Sequence, residues 1–344
     1  MAADRRRHHR DPQWHEGGLV SSTVPPPVTT VMEVAGAWLP ARMEEVEARL
    51  GEIASGHGPE LGAEAEATLE AGGKRLRPLL LLICAGPGSG RRATRAAVAT
   101  ELIHMATLVH DDVLDGAPVR RGRPTVVARA GRDRAVEVGD LLLARAFAEL
   151  AAADCAAEVE ELSSAAVALA RGELAQRQDA GDVTIGEERY LKRCSLKTAR
   201  LFESACRVGR ISSGLRGSEQ LAAYGRQIGL AFQLLDDVLD VTGPPERTGK
   251  ARGTDLLDGT VTLPLILARR ADPGLASLDL SELDAASAER VCDRIAATGV
   301  LDEVRDRARE GIDAAKRGIA SDAFTAEERN LLGLIADGVV ERYS

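Results

Sequence analysis

Two stretches, TRAAVATELIHMATLVHDDVLD and SEQLAAYGRQIGLAFQLLDDVLD, constrain the fold more than anything else in the chain. Both lack proline, and both space their apolar residues at helical intervals. Each therefore predicts a helix of about six turns. Each also ends in the same pentapeptide, DDVLD, at residues 111–115 and 236–240. Helices that long must bury an apolar stripe against other long helices.

The rest of the sequence supplies such partners. AWLPARMEEVEARLGEI, GDLLLARAFAELAAAD, EVEELSSAAVALARGELAQRQDA and ERYLKRCSLKTARLFESACRVGRISSG carry the same period, and shorter helices follow Thr262. No segment alternates apolar and polar residues between turn signals, so strands are not expected. Breakers fall between helices at residues 86–90, 116–118, 122–124 and 242–254. Length alone, 344 residues, suggests two domains. No Pro/Ser-rich linker divides the chain after residue 30, so the expected organisation is a tail over 1–30, read as disordered, and one all-α domain over 31–344.

Composition excludes several classes. Apolar residues make up 44% and charged residues 28%, with a net charge of −9. A nucleic-acid partner would call for a basic excess, and none is expected. The longest apolar run, LLLLICA at 79–85, is too short to span a bilayer. No apolar segment follows the basic start, so a secretory leader is not expected. Five cysteines, none at CxxC spacing, argue against a disulfide framework or zinc site and fit a reducing cytoplasm.

The carboxylates need an explanation. On a helix Asp111 and Asp115 share a face and Asp112 flanks them; Asp236, Asp237 and Asp240 repeat the pattern. Like charges one turn apart destabilise an exposed helix by about 0.2–0.5 kcal/mol. At a helix C-terminus the macrodipole adds to the cost. The preceding residues, ATLVH and AFQLL, leave little wet face to dilute it. Such an arrangement calls for a cation. An all-oxygen donor set with no Cys or His cluster selects a hard ion such as Mg²⁺, completed by substrate phosphates.

Basic residues complement these turns. GGKRLRP carries Lys74, Arg75 and Arg77, VRRGRPT carries Arg120 and Arg121, SLKTA carries Lys197 and Thr198, and RTGKARGTDL carries Lys250. Arginine offers a bidentate fork to phosphate and lysine a point charge. The expected ligand is a diphosphate, or two of them.

In this order and spacing, GGKRLRP, ELIHMATLVHDDVLDGAPVRRGRPT, GDLLLARAF, GELAQ, KTARLF, GLAFQLLDDVLD and GTDLLDGTVTLP resemble the trans-isoprenyl diphosphate synthases, the polyprenyl synthetases. The likeness runs from about Gly72 to Pro264. It implies a single large helical bundle around a deep central cavity, of the isoprenoid synthase type, usually a homodimer and possibly with a second subunit. By resemblance, Lys74, Arg77, His104 and Arg121 hold the diphosphate of isopentenyl diphosphate. Asp111, Asp112, Asp115 and Asp236 bind Mg²⁺ on the allylic diphosphate, and Asp237 and Asp240 do so less directly. Arg120, Lys197, Thr198, Gln233 and Lys250 contact the allylic diphosphate. Thr260 stands where many members have a lysine.

The expected catalytic set is Asp111, Asp115, Asp236, Lys197, Thr198 and Gln233. The reaction is ionisation of the allylic diphosphate, condensation with isopentenyl diphosphate, and loss of a proton. In the family, bulky residues four and five positions before the first motif stop chain growth. Here Thr107 and Ala106 are small, and residues 103–109 lack an aromatic. SLKTARLF and the TLP segment also look like synthases of menaquinone side chains. The expectation is a hexaprenyl-to-nonaprenyl product, handed to a membrane by a protein with no transmembrane segment. A short-chain farnesyl or geranylgeranyl synthase, a regulatory partner subunit and a terpene cyclase are the competing readings. Intact aspartates in both motifs argue against the last two. His110 is expected to be structural and Phe232 to pack; Glu173 and Gln176 carry no assignment.

Overall fold

The computed structural model describes residues 26–70, 73–243 and 252–341. Its helices are α1 (Pro26–Val34), α2 (Trp38–Ser55), α3 (Gly58–Glu70), α4 (Leu76–Ala85), α5 (Gly90–Asp115), α6 (Val126–Ala130), α7 (Arg132–Ala152) and α8 (Ala156–Gln178). They continue with α9 (Glu187–Cys194), α10 (Arg200–Ser213), α11 (Ser218–Thr242), α12 (Thr254–Leu257), α13 (Leu263–Ala271), α14 (Ala285–Ala297), α15 (Val300–Gly318) and α16 (Ala326–Glu341). The fold is all-α, as the periodicity predicts. Helix α1 starts inside the segment expected as tail; residues 1–25 lie outside the described residues.

The LLLLICA run explains the centre of the bundle. A helix that is apolar all round has no face for water and must be enclosed. Residues 79–85 of α4 are all buried, with Leu79, Leu80 and Leu81 at 0% exposure. Each such leucine contributes about 1.5–3 kcal/mol through burial. Helix α10 packs along α4 and also against α8 and α11, while α5 packs against α4, α7 and α10. Helix α15 backs α11. The buried apolar residues form one cluster from Val28 to Val339.

Both DDVLD segments end long helices, α5 and α11. Helix α5 stops at Gly116, whose left-handed φ of 61° lets its N–H reach the Asp112 carbonyl. The next residues make the one strand pair among the described residues, β1 (Val119–Arg120) and β2 (Arg123–Pro124). Arg120 pairs with Arg123, leaving Arg121 and Gly122 as a two-residue turn with φ of 52° and 75°. Two positive φ values are what a tight hairpin of this twist requires, and glycine meets one of them at no cost. Strands were not expected here. A hairpin this short carries no alternation to read.

Candidate active site

The two aspartate helices meet at a five-residue π-helical turn, Ser195–Ala199, inserted between α9 and α10. A π turn carries an extra residue per turn and rotates the side chains that follow it; such turns recur at functional sites. Here consecutive residues point to different helices. Lys197 Nζ lies 3.8 Å from Asp111 Oδ2 on α5 and pairs closely with Glu173 on α8. Thr198 Oγ1 donates to Gln233 Oε1 on α11 at 2.8 Å.

Two helical glycines make this junction possible. A Cβ at Gly172 would lie 2.6 Å from the Lys197 backbone nitrogen, and one at Gly229 would lie 2.6 Å from Ala199 Cα. Any side chain at either position would push α8 or α11 off the turn.

The carboxylates divide into two kinds. Asp115 and Asp236 are exposed, and Asp111 is half-buried. Burial pushes the Asp111 carboxyl up to about 7; Lys197 opposes the shift, while Glu173 and Asp115 add to it. Asp115 is raised by burial and Glu173, against Lys197. Lys197 is itself raised, because Asp111 and Glu173 outweigh its burial.

Asp112 and Asp237 instead turn into the protein. Asp112 is 5% exposed and accepts from Arg120 Nε at 2.8 Å. Asp237 is 1% exposed and accepts from Tyr190 Oη at 2.5 Å and from Gln233 Nε2 at 2.8 Å. Burial and Asp255 push Asp237 up to about 8, although the two hydrogen bonds favour its charge. Asp240 Oδ2 accepts from the Asp255 backbone N–H at 3.3 Å, and its carbonyl from that of Gly253 at 3.0 Å.

These donors fit a hard divalent cation in kind, because they are oxygens whose mutual repulsion and burial drive Asp111 toward protonation. They do not form a finished cage. Among the described residues no group of three or more His, Cys, Asp or Glu side chains is assembled for an ion. Further oxygens from a ligand would be needed, as is usual for Mg²⁺.

One to two turns down α5 the charge reverses. Arg75, Arg120, Arg121, Arg129 and His104 line a pocket of about 40 Å³ against Asp112. Burial lowers the His104 pKa well below 6.5, and Arg77, Arg121, Arg120 and Arg75 lower it further. Arg77 lies over the Phe202 ring at 4.4 Å, and its buried Nε makes no hydrogen bond. Burial brings Arg77 down to about 10, still cationic at neutral pH. A neutral histidine among crowded guanidiniums marks a strongly positive hollow. It holds only a few waters' volume.

The backbone is bent to make this hollow. Arg75 and Arg121 are two of the three non-glycine residues with positive φ among the described residues. Strain of this sort collects at functional sites. Arg75 is held there by Glu47 at 2.7 Å and Glu101 at 2.9 Å, so it braces the loop between α2 and α5. A Cβ at Gly73 would sit 3.1 Å from guanidinium nitrogens of both Arg75 and Arg121. Lys74 is half-buried beside them.

The structure thus brings together Arg77, His104, Arg120 and Arg121 in one cluster, and Asp111, Lys197, Thr198, Gln233 and Asp237 in another. Lys250 lies outside the described residues. Thr260 donates its backbone N–H to the Asp255 carbonyl at 2.7 Å. Thr107 sits one turn below Asp111, half-buried, with its hydroxyl on the His104 carbonyl at 2.8 Å. Ala106 is buried at 1% exposure. His110 packs against Gly139 and faces Asp140 at 3.3 Å. Phe232 packs on Phe202 with ring centroids 5.9 Å apart. Sequence reasoning named Arg75 and Glu173 without giving either a role, and missed Tyr190 and the π turn. Glycines inside the helical patterns of GELAQ and GLAFQ were the one available signal of close approach; nothing in the sequence pointed to Tyr190.

Comparison with known proteins gives the family. The polyprenyl synthetase family model matches residues 59–295. Heptaprenyl diphosphate synthase component 2 of Geobacillus stearothermophilus is 41% identical over 220 residues, 63% of this chain and 68% of that protein. Octaprenyl diphosphate synthase of Escherichia coli (strain K12) is 36% identical over 276 residues, 77% of this chain and 85% of that protein. The crystal structure of heptaprenyl diphosphate synthase from Staphylococcus aureus aligns with a TM-score of 0.84 at 30% identity, covering 89% of this chain and 99% of that one. The match spans both aspartate helices, the arginine hollow and the π turn between them, and the chain belongs to the polyprenyl synthetase family.

Proposed function

We propose that the protein is a trans-prenyltransferase that condenses isopentenyl diphosphate with an allylic diphosphate and repeats the step to a hexaprenyl-to-nonaprenyl product. The observation that carries this reading is the π turn. Through Lys197 and Thr198 it ties the two aspartate helices into one site, beside a separate arginine hollow. Two anion sites then lie along α5. His104 and Asp111 are seven residues apart, about 10 Å of helix rise. That spacing suits two diphosphates whose organic tails lie side by side.

In this scheme Lys74, Arg77, His104 and Arg121 hold isopentenyl diphosphate. Arg120, Lys197 and Lys250 hold the allylic diphosphate, with Asp111, Asp115, Asp236 and, less directly, Asp112, Asp237 and Asp240 serving Mg²⁺. When bound there, Mg²⁺ supplies Lewis-acid withdrawal of charge from the diphosphate oxygens. Lys197 and Arg120 neutralise the charge that grows on the leaving diphosphate as the C–O bond breaks. Thr198 and Gln233 direct oxygen dipoles at the allylic carbon as it becomes cationic. The double bond of isopentenyl diphosphate attacks that carbon. The proton then lost goes to the oxygens of the departed diphosphate.

Long product follows from small residues under Asp111. Thr107 and Ala106 offer no bulky stop, and the growing tail descends past them. The working unit is a homodimer in the cytoplasm; among the described residues no helix is long and apolar enough to cross a membrane.

The test is direct. Purified protein is incubated with Mg²⁺, isopentenyl diphosphate and allylic primers of increasing length, and the products are chromatographed. Products of thirty to forty-five carbons support the reading. Arrest at farnesyl or geranylgeranyl diphosphate makes it a short-chain synthase, and no turnover with any primer leaves the partner-subunit reading standing.

A further inference from the structure

Tyr190 is one of three tyrosines, is 1% exposed, and has no part in the reaction as proposed above. Its hydroxyl ends a chain of three hydrogen bonds that begins at Thr198. Thr198 Oγ1 donates to Gln233 Oε1 at 2.8 Å, Gln233 Nε2 donates to Asp237 Oδ1 at 2.8 Å, and Tyr190 Oη donates to Asp237 Oδ2 at 2.5 Å.

The direction of this chain follows from what each group can do. Tyr190 has one proton and gives it to Asp237. Asp237 meets the Tyr190 hydroxyl on Oδ2, so any proton the carboxyl carries is held on that side and Oδ1 is left to receive from Gln233. A carboxamide that points its nitrogen at Asp237 must point its oxygen at Thr198. A hydroxyl facing a carbonyl oxygen must donate. The single proton of Thr198 is therefore committed to Gln233, and its lone pairs are left for the opposite side. Were the amide reversed, Thr198 would accept from Gln233 and turn its own proton outward. The two arrangements present dipoles of opposite sign to the same point in space. Beside a carbon that becomes cationic, that sign decides between stabilisation and repulsion.

We infer that Tyr190 is a positioning residue: through Asp237 and Gln233 it sets the sense of the Thr198 hydroxyl, so that lone pairs face the allylic cation. The inference rests on the reaction proposed above. It assigns Asp237 a task distinct from that of exposed Asp236, since its two oxygens receive Tyr190 and Gln233 from within the protein. The tyrosine ring is packed independently of its hydroxyl, with the Arg193 guanidinium 5.6 Å from the ring centroid, so Tyr190→Phe preserves the packing.

The test is steady-state kinetics of Tyr190→Phe, alone and combined with Thr198→Val. For the single variant, kcat is expected to fall roughly tenfold while KM for both substrates stays within about twofold, because the dipole acts on the transition state rather than on diphosphate binding. In the Thr198→Val background the same change should cost no further kcat, because the hydroxyl it orients is gone. A structural role would instead multiply the two losses and move KM and Tm with kcat. Unchanged kcat in Tyr190→Phe, or multiplied losses, overturns the inference. Should Tyr190→Phe fail to fold, Asp237→Asn assayed at saturating Mg²⁺, which separates the link from the carboxylate's part in holding the ion, reads the same link: it offers the Gln233 amide a donor, and it should show the same kcat loss and the same lack of further loss with Thr198→Val. Full kcat in Asp237→Asn overturns the inference. Wild-type protein without turnover overturns the proposed reaction and this inference together, whereas an active wild type with an equally active Tyr190→Phe overturns this inference alone.

Discussion

Replacing Gly172 by alanine separates positioning from stability. The new Cβ would meet Lys197 N at 2.6 Å and Lys197 Cα at 2.9 Å, where ordinary contact begins near 3.4 Å. Both atoms are backbone, so no side chain can swing aside. Helix α8 and the π turn must part by about 0.8 Å, the difference between 3.4 and 2.6 Å. Overpacking of this kind costs about 1–3 kcal/mol. Alanine returns about 1 kcal/mol of helix propensity over glycine. The net loss is about 0–2 kcal/mol, a fall in Tm of a few degrees for a chain this long. Activity should respond far more. Lys197 and Thr198 sit on the displaced turn, and a misplacement near 1 Å costs about 10²-fold. The assay is radiolabelled isopentenyl diphosphate incorporation, with calorimetric Tm alongside. Gly51→Ala is the control: nothing lies within 4 Å of its Cβ on α2, so it should gain about 1 kcal/mol and keep full activity. Wild-type kcat/KM in Gly172→Ala would refute the claim that this contact positions the site. Outright unfolding would refute the energy estimate.

Other outcomes follow from the same geometry. His104 has a folded pKa below its unfolded 6.5, so as pH falls below about 6.5 the unfolded chain takes up a proton that the native protein refuses. Stability present above that pH is then lost at up to about 1.4 kcal/mol per pH unit; Asp111 and Asp237, raised to about 7 and about 8, gain stability over the same range, so the His104 share is read as the difference between wild type and His104→Asn in urea unfolding, which should shrink from pH 7.0 to 5.5. Inorganic diphosphate should reduce the same loss by offsetting the arginines, and an unchanged acid slope would count against an anion in that hollow. Asp111→Asn should lower kcat/KM by about 10²–10³-fold, and chelation should abolish activity until Mg²⁺ is restored; retained turnover in excess chelator would refute the metal assignment. Ala106→Phe should shorten the product on reversed-phase chromatography, and an unchanged length would show that the stop lies elsewhere.

Much of the site could be read from linear order because its chemistry is carried by local repeats. The i, i+4 aspartates share a helix face whatever surrounds them, and Arg120 and Arg121 follow the first motif by only a few residues. The charge pattern alone was enough to call for a cation and a polyanion. What the pattern could not show was which aspartates face solvent. Asp111 and Asp112 are neighbours in an identical pentapeptide to Asp236 and Asp237, yet Asp112 is tied to Arg120 and Asp237 to Tyr190 and Gln233. Helix phase sets the direction of each carboxylate, but the partner waiting there comes from a remote segment. Glu173 was legible only as an inward polar residue or a solvated one; its closeness to Lys197 depends on α8 resting on the π turn.

The sequence by itself determined that the chain is helical, that two long helices end in acidic turns, and that basic loops attend them. Those are consequences of periodicity, breakers and charge, which act over a few residues. Only the tertiary structure decided that Lys197 and Thr198 join those helices, that four arginines crowd His104, and that the second DDVLD has one carboxylate turned inward. A π turn has no sequence code of its own. It survives here because α8 and α11 each present a glycine to it, and that close approach exists only once the bundle has closed.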